Sequence, residues 1–145
     1  MPLRRRDVMR VSVGALVALT VPARAQQLLV MQQDATLDEV IVAFTDGAPI
    51  AEGSMSLSLP DVAEDGYRVP VAIEAPQAEE AVLIAPGNPV VPVLKIRFGP
   101  LAGSQKLSTR MRLAQTQDVL ALARMPGGTV AQDTQPVSVI VGGCA

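Results

Sequence analysis

Histidine and tryptophan are absent from this 145-residue chain, which holds one cysteine, one tyrosine and two phenylalanines. Each shortage removes a class of chemistry. Without histidine there is no Ser-His-Asp or Cys-His nucleophile pair and no imidazole metal site. A lone cysteine excludes an intramolecular disulfide and every Cys-x-x-Cys redox or zinc motif. Apolar runs are short, the longest near the start being Val11–Val21, whereas a membrane helix needs about 20 residues. No membrane span is therefore expected.

Cations are also scarce once the first 25 residues are set aside. That segment carries Arg4, Arg5, Arg6, Arg10 and Arg24 against the single acid Asp7, so the rest holds seven bases and thirteen acids, a net charge of −6. Phosphate recognition needs clustered Lys and Arg, so nucleic acid is excluded as a partner.

The opening residues have the layout of an export signal. A basic start is followed by the apolar run, then by Pro22-Ala23-Arg24-Ala25, a small-residue cut site. Paired arginines followed by a spacer, two apolar residues and a base resemble the twin-arginine signal. Residues 1–25 are thus expected to be cleaved after export to the periplasm, leaving 120 residues, enough for one modest core.

Within that remainder, residues 26–52 form an N-terminal segment with a helix over about residues 35–46. Leu37, Val40, Ile41 and Phe44 recur at helical spacing on one stripe. Thr36 with Glu39 fits a capping box, and Gly47 suits the stop. From Gly53 the period changes to two. Met55/Leu57/Leu59, Val69/Val71/Ile73, Ala81–Ala85, Val93–Phe98, Leu107/Thr109/Met111/Leu113, Val119–Met125 and Val137/Val139/Val141 read as seven short strands parted by Gly/Pro turns. Such spacing predicts an all-β fold, an immunoglobulin-like antiparallel β-sandwich over residues 53–141 preceded by the short helix. Pro70 and Pro92 fall inside strand patterns, which places them at edges or bulges. Arg110 and Arg112 share one face of their strand and read as solvated. Glu79-Glu80 reads as a loop edge, and Met55 and Met111 read as core filler.

Residues 142–145 are the chemical part of the chain. Gly142 and Gly143 have no side chains to pack and form a swivel. Cys144 lies three residues beyond Val141, a reach of roughly 10 Å. No base or cation stands in the tail, so the thiol is expected near its reference pKa of about 8.5, a few per cent thiolate at neutral pH. Cys144 therefore reads as a handle whose reactivity is supplied by the enzyme that receives it. It is not a catalyst, and no cofactor or metal is expected.

These features together resemble the SoxY sulfur-carrier family of the bacterial thiosulfate-oxidising (Sox) system. The resemblance runs through Gly53–Gly66, Val69–Glu74, Asn88-Pro89, Ser108–Thr116 and Val139-Ile140-Val141-Gly142-Gly143-Cys144. It implies covalent sulfur attachment at Cys144 on a swinging arm and a heterodimer with a SoxZ-like β-sandwich. It also implies transient visits to a Sox haem protein, a thiosulfohydrolase and a sulfane dehydrogenase. The family arm ends Gly-Gly-Cys-Gly-Gly, whereas here Cys144 is followed by Ala145. The alternative expectation is an accessory or assembly subunit of another periplasmic dehydrogenase, in which Cys144 is dispensable.

Overall fold

A computed structural model describes residues 34–140 of the chain. The signal segment 1–25, Met31, and the arm residues Gly142, Gly143, Cys144 and Ala145 lie outside the described residues.

One helix, α1 (Leu37–Thr45), precedes nine strands. Its start is fixed by the capping box: the Thr36 hydroxyl accepts from the Glu39 amide at 3.4 Å, and the Thr36 amide donates to the Glu39 carboxylate at 2.8 Å. That bond to the Thr36 amide, with a second from its hydroxyl, holds the Glu39 carboxyl below the usual range. The stop falls one residue before Gly47, at Asp46, which takes the left-handed conformation (φ 51°) and donates its amide to Val42. Nine residues do not sustain an isolated helix, so α1 depends on its apolar stripe. Phe44 is buried, and Leu37, Val40 and Ile41 pack beside it over Val82, Ile84, Leu120, Leu122 and Val130.

The strands are β1 (Ile50–Glu52), β2 (Ser56–Ser58), β3 (Val62–Ala63), β4 (Val69–Glu74), β5 (Glu80–Ile84), β6 (Pro92–Arg97), β7 (Lys106–Met111), β8 (Gln117–Arg124) and β9 (Val130–Val139). They form two sheets. The larger has the order β1-β9-β8-β5-β6, with β3 also on β9, and the smaller has the order β2-β4-β7. The fold is an all-β sandwich with one short helix, as the alternation implied. Leu57, Val69, Val71, Ile73, Met111 and Leu113 from one side meet Ala81, Leu83, Val119, Ala121, Ala123, Ala131 and Val137 from the other. Alanine dominates one wall, so the sheets can approach closely. β5 is buried along its whole length, because the smaller sheet covers its inner face and α1 its outer one. Met55 and Met111 are core residues.

Three details differ from the sequence reading. Pairing is not wholly antiparallel: β1 and β3 lie parallel to β9, at its two ends. β9 begins at Val130, seven residues before the alternation at Val137 made it visible. Pro70 sits in the central strand of its sheet, yet β2 stops opposite Ala72, so only β7 flanks the proline. Pro92 does fall at the start of an edge strand, beside a register shift between Leu83 and Ile84.

Candidate functional site at the end of β9

The described residues stop four short of Cys144, so the site is built from what holds the strand that leads to it. β9 pairs with β8 along one side, from Val130 opposite Arg124 to Val137 opposite Gln117. Its other side is held by three devices in succession. β1 pairs with Val130, Ala131 and Gln132. Next, side chains replace backbone. The Asp133 carboxylate accepts the Leu57 amide at 2.8 Å and the Gln135 carbonyl oxygen accepts the Leu59 amide at 3.0 Å. These two bonds join β2 to β9 and satisfy the edge of the smaller sheet, which would otherwise present bare N–H groups. Last, β3 pairs with Ser138 and Val139.

The final residues are pinned most densely. Ser138 donates its amide to the Asp61 carbonyl at 2.9 Å, Val139 to the Thr116 hydroxyl at 2.9 Å, and Ile140 to the Ala63 carbonyl at 3.0 Å. Gly66 closes the inner side. Its carbonyl accepts the Leu113 amide at 2.8 Å, and a Cβ at this position would stand 2.6 Å from the Leu113 carbonyl oxygen and 2.9 Å from Val139 Cγ1. Chain order therefore brings Asp61–Gly66, Leu113, Thr116 and Val139 to one end of the sandwich, where the strand stops as a fixed post. From Ile140, four residues lead to Cys144, an extended reach of about 13–14 Å.

Exposed side chains ring this post. Val62 and Ile140 are half exposed and Tyr67 is 70 % exposed. The Arg112 guanidinium lies over the Tyr67 ring, 4.7 Å from its centre, a cation–π contact. Arg110 and Arg112 are both exposed, with buried Met111 between them, so they occupy one solvated face as the alternation indicated.

A second charged constellation lies away from the post, where α1 meets the larger sheet. Glu80, read from sequence as a loop edge, is instead a buried residue of β5. Arg124 Nε donates to its carboxylate at 2.9 Å, Lys95 Nζ stands 3.3 Å away and Arg97 3.8 Å. Burial pushes the Glu80 carboxyl up, but the Arg124 hydrogen bond and the Lys95 charge outweigh it and hold the group below the usual carboxylate range. Arg124 also donates to the Phe44 carbonyl at the end of α1, and the Arg124 and Lys95 cations flank the Phe44 ring at 5.3 and 5.4 Å. Every member has partners, so the cluster fastens the helix and has no unoccupied group for acid–base work. Among the described residues no set of three His, Cys, Asp or Glu side chains is placed to hold a metal ion, and no helix is long and apolar enough to cross a membrane.

The model of the family described as sulfur oxidation protein SoxY matches residues 40–144. The chain belongs to the SoxY family. The match begins inside α1 and runs past the described residues to Cys144. Among solved structures, the sulfur carrier protein SoxY from Chlorobium limicola f thiosulfatophilum is similar at 28 % identity. The alignment covers 73 % of this chain and 97 % of that one, with a TM-score of 0.64. Two variant forms of superoxide reductase (neelaredoxin) from Ignicoccus hospitalis follow at 10 % and 13 % identity, each with a TM-score of 0.53. They cover 63 % and 68 % of this chain and 94 % and 86 % of theirs. At that identity they share the sandwich alone. No curated protein matches the sequence.

Asp133, Gln135, Thr116 and Gly66 were not legible as parts of this SoxY-type post. Asp133 and Gln135 sit in the polar run Gln132–Gln135, which hides a strand, and only partners 76 residues away give them a role.

Proposed function

We propose that the protein is a periplasmic covalent carrier of sulfur intermediates, with Cys144 as the attachment point and Gly142 and Gly143 as the swivel. Membership of the SoxY family supports a sulfur-oxidation carrier role, and the match extending through Cys144 is the observation that carries the reading. The likeness to a solved sulfur carrier supports it further. The post at the end of β9 suits the task, because a fixed root turns a short glycine-cysteine arm into a probe of defined length.

The chemistry balances without catalysis by this chain. The Cys144 thiol and thiosulfate together lose two electrons to a haem partner and one proton to solvent, forming a sulfur–sulfur bond and leaving Cys144 as an S-thiosulfonate. Water then cleaves the terminal sulfonate as sulfate under a thiosulfohydrolase, leaving a persulfide anion on Cys144 for a sulfane dehydrogenase. A SoxZ-like sandwich completes the carrier as a heterodimer, and export is by the twin-arginine route. In this reading the protein is the covalent substrate of the system's enzymes.

The mass of the Cys144 peptide from cells growing on thiosulfate tests this. Adducts with the mass of sulfane sulfur or thiosulfonate are expected. A bare thiol under every such condition, with Cys144→Ser cells oxidising thiosulfate normally, would overturn the reading in favour of an accessory subunit.

A further inference from the structure

Outside the signal segment the chain has seven cations, and their partners divide them sharply. Lys95, Arg97 and Arg124 surround Glu80, and Lys106 pairs with Glu74, all at 3.8 Å or less. Arg68, Arg110 and Arg112 have no carboxylate at such a distance among the described residues. These three come from adjoining segments: Arg110 lies opposite Pro70, the Arg112 guanidinium covers the Tyr67 ring, and Arg68 follows Tyr67 in the chain. Val69 and Met111 are buried in the core, which turns Pro70 and Arg110 to the outer face of the smaller sheet, and Arg68 and Arg112 just beyond the strand ends are exposed as well. Among the described residues, the cations without a carboxylate partner are thus gathered at a single place.

That place adjoins the post. Tyr67 and Arg68 follow Gly66, and Arg112 precedes Leu113, the two residues that close around Val139. Tyr67 is stacked under Arg112, so both side chains are presented in a defined arrangement. Val62 and Ile140 add an apolar margin where the chain leaves β9. The acids Asp61, just before β3, and Glu64 and Asp65, just after it, border this margin, and Asp65 accepts the Tyr67 amide at 2.8 Å.

Reach makes this surface unavoidable. With Cys144 four residue steps beyond Ile140, a cleft that takes the sulfur must open within about 13–14 Å of Ile140. The rim of that cleft then rests on the residues around the post. We infer that Arg68, Arg110 and Arg112, with Tyr67, Val62 and Ile140, form the docking face for the thiosulfohydrolase that takes the loaded arm. The partner's rim is acidic where it meets the arginines. This rests on the carrier reading above, and it adds the location and sign of the contact. Uncompensated rim charges act mainly on the rate of encounter, and the loop acids turn away a partner whose rim is acidic all round. The recognition is therefore directional about the arm.

The test uses the complete carrier with its partner subunit, loaded as the S-thiosulfonate, and the thiosulfohydrolase of the same system. R68Q/R112Q is compared with R97Q/K106Q, which removes the same charge from sites remote from the post. The first variant is expected to lower kcat/KM for sulfate release about tenfold at low salt, with kcat at saturation unchanged. The loss should vanish in about 0.5 M salt, where screening extends only a few ångströms. The charge-matched variant should stay within about twofold of wild type. Equal losses in both, or none in R68Q/R112Q, overturn the docking face. If the hydrolase releases no sulfate even from wild type, the carrier reading is what fails. The face is then judged by direct association of carrier and hydrolase in a calorimetric titration. Salt-sensitive binding weakened about tenfold in R68Q/R112Q keeps the face, and no binding by wild type removes it.

Discussion

Gly66→Ala adds a single methyl group where the post has no room for it. The new Cβ would lie 2.6 Å from the Leu113 carbonyl oxygen and 2.9 Å from Val139 Cγ1, against an ordinary contact of 3.4 Å or more. One obstacle is backbone, so relief means moving the Gly66 turn, the Leu113 strand end or Val139 by more than half an ångström. Overpacking of this kind costs about 1–3 kcal/mol. Alanine also narrows the unfolded ensemble, which returns about 0.4–1 kcal/mol. The net expectation is a loss of about 1–2 kcal/mol, or about 5–10 °C in Tm for a domain of this size. The loss should be local as well as global. Hydrogen exchange at the Leu113, Val139 and Ile140 amides should accelerate more than at Leu83 or Leu122 in the sandwich interior. Gly103→Ala is the control, because a Cβ there meets nothing within 4 Å, and it should be neutral or slightly stabilising. A Gly66→Ala protein as stable as wild type, with unchanged exchange at Val139, would refute the view that Gly66 clamps the end of β9.

Two further outcomes follow from the packing. Glu80→Gln leaves Arg124 and Lys95 facing a neutral amide beside Phe44, and should cost about 2–3 kcal/mol near pH 7, below the full range for a broken buried pair because the cations are partly exposed. Glu80's lowered pKa gives a stabilisation that is present above the ordinary carboxyl range near about pH 4 and is lost as pH falls through the folded value. The gap between variant and wild type should therefore close in acid, and urea midpoints that differ equally at pH 7 and pH 3 would contradict this. Asp133→Ala strands the Leu57 amide at the edge of β2 and should cost about 1–3 kcal/mol, read by thermal unfolding. Asp133→Asn, which keeps an acceptor, should recover most of it.

The sandwich was legible because most of its strands are amphipathic. Val69/Val71/Ile73 and Leu107/Thr109/Met111 alternate cleanly, and β5 and β8 announce themselves as apolar runs between turns. α1 was legible for the same reason, with a cap written into Thr36 and Glu39. Short pieces escaped detection. β1 and β3 have three and two residues, too few to show a period, and they exist because β9 offers them an edge. Glu80 escaped because its burial depends on three cations from β6 and β8, none near it in sequence. At the site, the Gly-Gly-Cys tail was visible from composition and position, while the structure that roots it was not. Thr116, Asp133 and Gln135 look like ordinary polar loop residues until distant segments are brought beside them.

The bracing of β9 also fixes an order of events. β1, β2 and β3 all precede the middle of the chain, yet each is held by the last strand, across 76 to 80 residues in the case of β1, β2 and β3. Contacts so distant in sequence form late and slowly. Until β9 has been made and set beside β8, β1 and β3 have no partner strand, and β2 is held by β4 alone. The last strand is the keystone of the assembly, and it leads into the segment that carries Cys144. On the carrier reading proposed above, Cys144 stands at a defined height only once β9 has been seated and the sandwich is complete.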